Sequence, residues 1–547
     1  MPTLKVNAER IQKELEMSEE RISDLLFDYG LELDEIVFVE GQKEYKIDIP
    51  ANRYDLLCFN GLCNALKIFL KVEEPFKLKI TKTENKIFCE SRPKNKRKYV
   101  LSAIIEDIGF TEDTYADFIN YQEMLHKNLG RDRKFISMGT HNADVVQFPL
   151  KYEHRRDLSF KPLNKEVEVN VEDLKPVFKD DKKMLNYFDY VDDENCIFVD
   201  YAKKIISFPP IINADFCKIS KDTKNVLLEI TGTDFFKVSQ AMSLMLSNFG
   251  KNKKIGSVEV IYEEKGCKKI LDKNLKVFLI RKDEIEKELG IKLEILEIKD
   301  FLNRMMHKVE IIDENNLEVE VLDSRQDILH KIDLIEDIAV AYGFNNFKDL
   351  EIKTSTIGKP LFLNKMADFL RFECAFSSFV EVLNLTLLSR QENDAIRPSE
   401  VSILNPNSSE CEVLRSSLFP GLLKTVKCNQ HLSVPLKIFE VGDVTFKIGD
   451  NFENKKKLAA LIAGNSSNFE EIQGLCSRIL LKLGLKEIKY KESENRIFFK
   501  KRSAEIFVEN KKVGIIGVLD PKILEIFKVP FVCTSFELNV ESLASLI

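Results

Sequence analysis

Apolar positions recur along this chain with two periods, near 3.6 and near 2, and the alternation between them divides it into units. Residues 4 to 37 read as a helical segment followed by an apolar strand, and residues 44 to 49 alternate polar and apolar as a half-buried strand does. That strand runs into Pro50-Ala51-Asn52-Arg53-Tyr54-Asp55, after which Leu56, Leu57, Leu62, Leu66, Phe69 and Leu70 cluster on one helical face. Arg92, Lys94, Lys96, Arg97 and Lys98 then crowd into a stretch that reads as an exposed loop and sets a boundary near residue 95. From residue 99 to about 260, strand-like runs at 136–138, 205–208 and 226–230 interleave with amphipathic helices such as 111–129. Residues 272 to 348 predict two helices, a hairpin over 309–321 and a final helix. Beyond residue 354, apolar strands at 381–388, 436–439, 457–463, 505–508 and 513–518 predict an antiparallel sheet with helical cover. The expected fold class is α+β and multidomain: an N-terminal α/β module over 1–95, an α+β domain over 96–270, a small helical module over 271–350 and a sheet-with-helices domain over 351–547.

An internal echo joins two of these units. Aligning Arg53 with Arg325 places Arg53-Tyr54-Asp55-Leu56-Leu57 on Arg325-Gln326-Asp327-Ile328-Leu329, each after a strand and each opening a helix. Two copies of one module would produce this, with Asp55 expected to cap its helix by accepting the first free N–H groups. The second copy adds Asp333, Glu336 and Asp337 after Asp327. On a helix, Ile328, Ile332, Ile335, Ala339 and Tyr342 form a buried stripe, the three carboxylates lie side by side beyond its edge, and Gly343 ends the helix. Exposed like-charge pairs cost only ~0.2–0.5 kcal/mol each, so a solvated acidic face and a hard-cation site for Mg²⁺ both stand.

Composition narrows the class. A chain of 547 residues exceeds what one core supports, and an apolar fraction of 44% excludes a disordered one. No apolar run reaches the ~18 residues of a membrane span, and Met1-Pro2-Thr3-Leu4-Lys5 lacks a secretory pattern, so a cytoplasmic protein without a membrane partner is expected. Eleven cysteines scattered from Cys58 to Cys533 read as reduced thiols. With a net charge of −7, a nucleic acid must be held by local patches such as Arg92 to Lys98 with Lys127, Arg131, Arg133 and Lys134, residues that fit a merely solvated loop equally well.

Five strings carry a family resemblance: Lys46-Ile47-Asp48-Ile49-Pro50-Ala51-Asn52-Arg53-Tyr54-Asp55-Leu56-Leu57-Cys58, Pro209-Pro210-Ile211-Ile212-Asn213, Thr231-Gly232-Thr233-Asp234, Leu334-Ile335-Glu336-Asp337 through Tyr342-Gly343-Phe344-Asn345, and Arg415-Ser416-Ser417-Leu418-Phe419-Pro420-Gly421. Together they resemble the beta subunit of archaeal and eukaryotic cytosolic phenylalanyl-tRNA synthetase. The resemblance implies a class II ligase of two alpha and two beta chains that joins phenylalanine to tRNA(Phe) using ATP and Mg²⁺, with the aminoacylation site in the alpha chain and no catalytic residue for that step here. It implies a magnesium site shared with alpha, with ligands Asp327, Asp333, Glu336 and Asp337, although Leu322 stands where relatives commonly have Pro. It also makes 96–270 an editing domain, 271–350 a module of DNA-binding-like shape and 351–547 a catalytic-like fold without an ATP site.

The residues agree with that last expectation. ATP phosphates call for planar, bidentate arginines. The strand Leu436-Lys437-Ile438-Phe439-Glu440 has Ile438 where an active fold would place Arg, and no arginine follows Arg502, which leaves Arg415 as a structural or interface residue. Editing has a physical rationale, because rejecting one added hydroxyl by shape alone reaches only roughly 100-fold. The resemblance implies that the tyrosyl site is lined by Gly139, Thr140, His141, Asn213, Glu229, Thr231, Gly232 and Thr233, with Glu229 recognising the tyrosine hydroxyl and His141 placing water or the RNA end. No Ser-His-Asp or Cys-His triad is evident in the sequence. Asn142 stands where relatives usually have Asp, and Ala214-Asp215-Phe216-Cys217-Lys218 replaces a more polar string, departures that would weaken editing. The alternative class is a non-enzymatic nucleic-acid-binding or scaffold protein derived from such a subunit.

Overall fold

A computed structural model describes residues 2–39, 41–91, 95–262, 267–269, 276–349, 351, 355–398 and 401–547, so Arg92 and Lys94 of the expected basic loop lie outside the described residues. Two compact units divide the chain, 1–350 and 351–547.

The first unit opens with a strand rather than a helix. Thr3–Asn7 pairs antiparallel with Gln42–Asp48, which also pairs with Glu32–Val39, giving the order first, third, second. Helices Ala8–Leu15 and Glu19–Asp28 connect the first two strands, and the Asn7 side chain accepts from Arg10 N to start the first of them. The five-residue strand buries only Leu4 and Val6, too short an alternation to stand apart from the helical pattern that follows.

A ten-stranded sheet follows, running from Ile212–Asn213 at one edge to Ile136–Asn142 at the other. It begins earlier than the boundary expected near residue 95, because Ile80–Cys89 pairs in parallel with Lys254–Tyr262 inside it. Val226–Gly232 is buried along its whole length, the condition under which strands lose polar alternation. Leu228 and Ile230 face a core shared with helices Phe59–Phe69, Glu112–Lys127 and Phe235–Phe249, whereas Leu227 faces a second core containing Phe208, Ile211 and Cys217. Glu229 and Thr231 continue the side of Leu227 by the two-residue period.

Residues 276–342 repeat the opening topology. Strands Lys276–Arg281, His307–Ile311 and Asn316–Val321 take the same first, third, second order, with helices Lys282–Leu289 and Ile295–Arg304 between the first two. The Arg-x-Asp turns of the two copies superpose chemically. Arg53 donates through Nε and Nη2 to Asp55 at 3.0 and 2.8 Å, and Arg325 does the same to Asp327 at 3.0 and 2.8 Å. Asp55 is therefore not a helix cap. The cap before Phe59–Phe69 is Cys58, whose sulfur accepts from Gly61 N at 3.3 Å.

The acidic helix also begins later than its apolar spacing suggests. It spans Lys331–Tyr342, opened by a capping box in which Asp333 Oδ2 accepts from His330 N at 2.9 Å and His330 Nδ1 accepts from Ile332 N at 3.2 Å. The buried face is wider than the expected stripe, taking in Leu334, Ile338 and Ala341 beside Ile335 and Ala339; it leaves Ile332 exposed and includes Asp337, expected beyond the stripe's edge.

The second unit is a seven-stranded sheet built around the hairpin Leu436–Ile448 and Asn451–Gly464. Helices Phe362–Phe376 and Phe469–Lys482 cover one face and Phe419–Cys428 the other. The strand expected over 381–388 is two short ones, Val380–Glu381 and Leu387–Leu388, in different sheets. Among the described residues, no helix is long and apolar enough to cross a membrane.

Arg325 holds two buried carboxylates at once, Asp327 and Asp337, each within 2.8 Å. Arg325→Met should thus lower unfolding free energy in urea by about 3–5 kcal/mol by leaving both unpaired, whereas Leu329→Ala, at 65% exposure, should change it by less than about 0.5 kcal/mol.

Candidate functional site

The edge strand Ile136–Asn142 pairs antiparallel with Val226–Gly232 so that Gly139 faces Glu229, Leu227 faces His141 and Leu228 faces Thr140. Gly139 is needed there: a Cβ would lie 2.1 Å from Glu229 Oε1 and 2.7 Å from His141 Nε2. The missing side chain lets a carboxylate and an imidazole occupy the space beside the strand.

Both groups are buried, Glu229 at 1% exposure and His141 at 0%. Glu229 Oε1 accepts from Ser207 Oγ at 2.7 Å and lies 3.5 Å from His141 Nε2, while among the described residues neither Glu229 Oε2 nor His141 Nε2 has a hydrogen-bond partner. On the other side of the ring, His141 Nδ1 is 3.3 Å from Cys217 Sγ. A Cys-His-Glu row therefore exists in space that the sequence order conceals. Burial opposes the charged imidazole, but the Cys217 sulfur and the Glu229 carboxylate outweigh it and raise the His141 pKa to about 10.

In front of this row lies a cavity of about 660 Å³, within the ~300–1,000 Å³ range of small-molecule sites. Glu229, Thr140 and Asn213 reach its wall, and Ile119, Met138, Phe178, Phe208 and Ile211 make much of it apolar. Asn213 Nδ2 donates to Thr140 O at 3.4 Å and Thr140 Oγ1 to Gln122 Oε1 at 3.2 Å. Five expected lining residues do not reach it: Gly139 and the fully buried His141 stand behind Glu229, so His141 does not touch water or RNA from the wall, and the other three lie at and past the end of strand Val226–Gly232. Thr231 is fully buried, a Cβ on Gly232 would lie 2.6 Å from Val238 Cγ2, and Thr233 N donates to Phe135 O, so these residues shape the turn into helix Phe235–Phe249.

The rim is cationic but internally engaged. Arg131, Asp132 and Arg133 all take left-handed φ values of 45, 53 and 64°, a costly run for residues bearing a Cβ. Arg133 donates to Glu123 Oε1 at 2.8 Å and to Ile211 O at 3.1 Å. Arg97, expected in an exposed loop, is 1% exposed and donates to the carbonyls of Arg133 and Lys134, with burial lowering its pKa to about 10. Arg97 supports the rim from beneath and is not free to meet phosphates. Beside it His126 stays neutral, its pKa lowered to about 4 by burial and by Arg133, and its Nε2 accepts from Met138 N at 2.8 Å.

The whole chain is 40% identical over 556 residues to a probable phenylalanine–tRNA ligase beta subunit of Encephalitozoon cuniculi, covering 99% of that protein. The phenylalanine–tRNA ligase beta subunit of Homo sapiens is 34% identical over 586 residues, covering 99% of each chain. This chain belongs to the phenylalanine–tRNA ligase beta-subunit family. Within it, residues 1–72 match the Phe-tRNA synthetase beta subunit B1 domain, 278–344 the tRNA synthetase B5 domain and 351–540 the phenylalanyl tRNA synthetase beta chain CLM domain. An N-terminal fragment of the phenylalanyl-tRNA synthetase beta-subunit from Pyrococcus horikoshii is similar in structure, with a TM-score of 0.58 and 28% identity over 62% of this chain and 99% of that one.

Against the beta-subunit family's expected magnesium ligands, the structure gives a clear geometry. Asp327 and Asp337 are gripped by Arg325, and His307 Nε2 adds a contact of 2.7 Å to Asp337. Burial alone would raise both carboxyl pKa values, but Arg325 reverses the effect and lowers them. Asp333 is spent on the helix cap and Glu336 points to solvent. Among the described residues no three His, Cys, Asp or Glu side chains converge as a metal centre. The four carboxylates do not fit a magnesium site as this chain holds them.

Sequence reading missed Gln122 and Ser207 in the cavity region and saw Cys217 only as a departure from the family's string. Ser207 sits in an apolar strand, Ile205–Phe208, and a hydroxyl in such a strand was the available signal. Millimolar Mg²⁺ added to this chain alone should leave its thermal unfolding midpoint unchanged; a midpoint rising with Mg²⁺ concentration would reveal a resident site.

Proposed function

We propose that this chain is the beta subunit of a phenylalanine–tRNA ligase, that with an alpha subunit it attaches phenylalanine to tRNA(Phe) in the cytosol using ATP and Mg²⁺, and that its own cavity hydrolyses mischarged tyrosyl-tRNA(Phe). The observation that carries the editing part is Glu229 Oε2, a buried carboxylate oxygen without a partner on the wall of a largely apolar cavity. A tyrosyl ring entering that cavity brings the one donor the site lacks, its phenolic O–H. A phenylalanyl ring leaves the oxygen unsatisfied, a penalty of about 1–3 kcal/mol in the right direction for sorting the two. Thr140 and Asn213 supply polar groups at the wall for the terminal ribose and the attacking water. Water adds to the ester carbonyl, the C–O bond to ribose breaks, and the ribose hydroxyl leaves with a proton.

The supporting organisation is an N-terminal module, an editing-type domain whose sheet begins at Ile80, a DNA-binding-like module repeating the first, and a class II-like domain that does not bind ATP. In that last domain Ile438 is packed into the core, and Arg415 is engaged by Glu440 Oε1 at 2.6 Å and Asp443 O at 2.9 Å. Its helix Phe362–Phe376 and the following segment leave Phe362, Phe372, Phe376, Val380, Leu383 and Leu385 more than half exposed, a patch that suits the alpha subunit.

Two experiments test the proposal. Co-expressed alpha and beta chains should purify as one complex that charges tRNA(Phe), and Phe372→Glu with Phe376→Glu should abolish co-purification; a beta chain that fractionates alone would overturn the assignment. The assembled enzyme should deacylate tyrosyl-tRNA(Phe), and Glu229→Ala should slow this by about tenfold or more, the scale of one lost charged hydrogen bond. Equal rates would remove Glu229 from the site.

A further inference from the structure

The row behind the cavity has a member whose position the editing chemistry leaves unexplained. Cys217 is fully buried at the end of the short turn Asp215–Cys217 and does not reach the cavity wall. Its sulfur lies 3.6 Å from both Ile206 O and Ala214 O, so its own S–H has acceptors on that side. The remaining lone pairs face His141 Nδ1 at 3.3 Å.

We infer that Cys217 is a positioning residue of the editing site: its sulfur accepts the Nδ1–H of His141 and thereby turns Nε2 toward Glu229. The inference rests on the editing reading above and deepens it. With Nδ1 donating to sulfur, a neutral ring would present its Nε2 lone pair to a carboxylate oxygen 3.5 Å away, which is repulsive. The doubly protonated ring donates through Nδ1, turns its second N–H toward the carboxylate 3.5 Å away and neutralises it as an ion pair. Glu229 Oε1 is then committed to Ser207 and His141, and Oε2 alone remains for the substrate. The titratable groups that act on the ring come from two elements packed against it, Cys217 from the turn and Glu229 from the neighbouring strand, and both raise its pKa.

The sign follows from the charge. His141 must be protonated for this arrangement, so its effect is present below its pKa and lost as pH rises through that value; removing the sulfur lowers the pKa and moves the loss to lower pH. Only six histidines occur in the chain, so ¹³C-histidine labelling of the full chain gives few resonances, with His141 assigned through His141→Gln. Cys217→Ala should lower the His141 titration midpoint by about one unit or more. In the assembled enzyme the same variant should move the alkaline fall of tyrosyl-tRNA(Phe) deacylation to lower pH by the same amount as the titration midpoint, with no loss at pH 6. Cys217→Ser, which keeps an acceptor, should restore the wild-type profile, and Cys217→Val keeps bulk without an acceptor should the alanine chain fail to fold. An unchanged titration and an unchanged pH profile in the acceptor-less variants overturn the inference. If the wild-type enzyme deacylates nothing at any pH, the editing reading falls by itself, and the histidine titration still decides whether Cys217 positions His141.

Discussion

The candidate site depends on the register between two strands. Because Gly139 stands opposite Glu229, the carboxylate can fold back over the neighbouring backbone and meet His141. A slip of one residue would carry every side chain of the edge strand to the other face, bringing Met138 or Thr140 against Glu229 and sending His141 into the helical core. The fully buried strand Val226–Gly232, paired on both sides, makes such a slip prohibitive. Rigidity of the sheet and chemistry of the cavity are therefore one constraint.

The same economy of buried charge governs the twin modules. A guanidinium buried to 1% exposure, as Arg325 is, requires anions in fixed geometry, and the Arg-x-Asp turn supplies one from two residues away. In the first copy the remaining Arg53 donor goes to the Tyr29 hydroxyl at 2.8 Å; in the second, Asp337 and His307 take that place. Asp327 acts electrostatically on Arg53, and Arg53 on Arg325, so the two turns sit close enough to feel each other's charge. Of the acidic residues that set the second copy apart in sequence, Asp337 thus acts as a counter-ion and Asp333 as a cap.

What was legible follows from range. The repeat was visible because its turn is local: Arg and Asp two residues apart, then a helix. The strand Ile205–Phe208 and the helix Glu112–Lys127 were legible because their apolar period is undisturbed. Thr140, Asn213 and Glu229 emerged through family resemblance, not spacing, since 89 residues separate the first from the last and nothing local links them. Cys217 was visible only as a departure from the family string, its contact with His141 lying 76 residues away in sequence, and Thr231 to Thr233 came in through the same resemblance although Thr231 is fully buried. Asp337 was misplaced because the helix is packed over more than the apolar stripe, and the Arg325 and His307 that receive the carboxylate come from outside the helix.

The second unit shows how a sheet can present basic residues and still be a poor place for a triphosphate. Lys457 and Glu537 form a buried ion pair on its inner strands, and Ser417 Oγ donates to Glu537 at 2.7 Å; Arg415 is closed by Glu440 in the same way. A phosphate recruiting either cation would strand a carboxylate that is 6% or 0% exposed, and an unpaired buried charge costs about 3–5 kcal/mol. That penalty opposes the very contacts ATP requires. It falls on Arg415 and Lys457, so an arginine at 438 alone would leave both cations engaged by their acids. The pairing of Arg415 with Glu440 and of Lys457 with Glu537 thus supports the proposed division of labour with an alpha subunit.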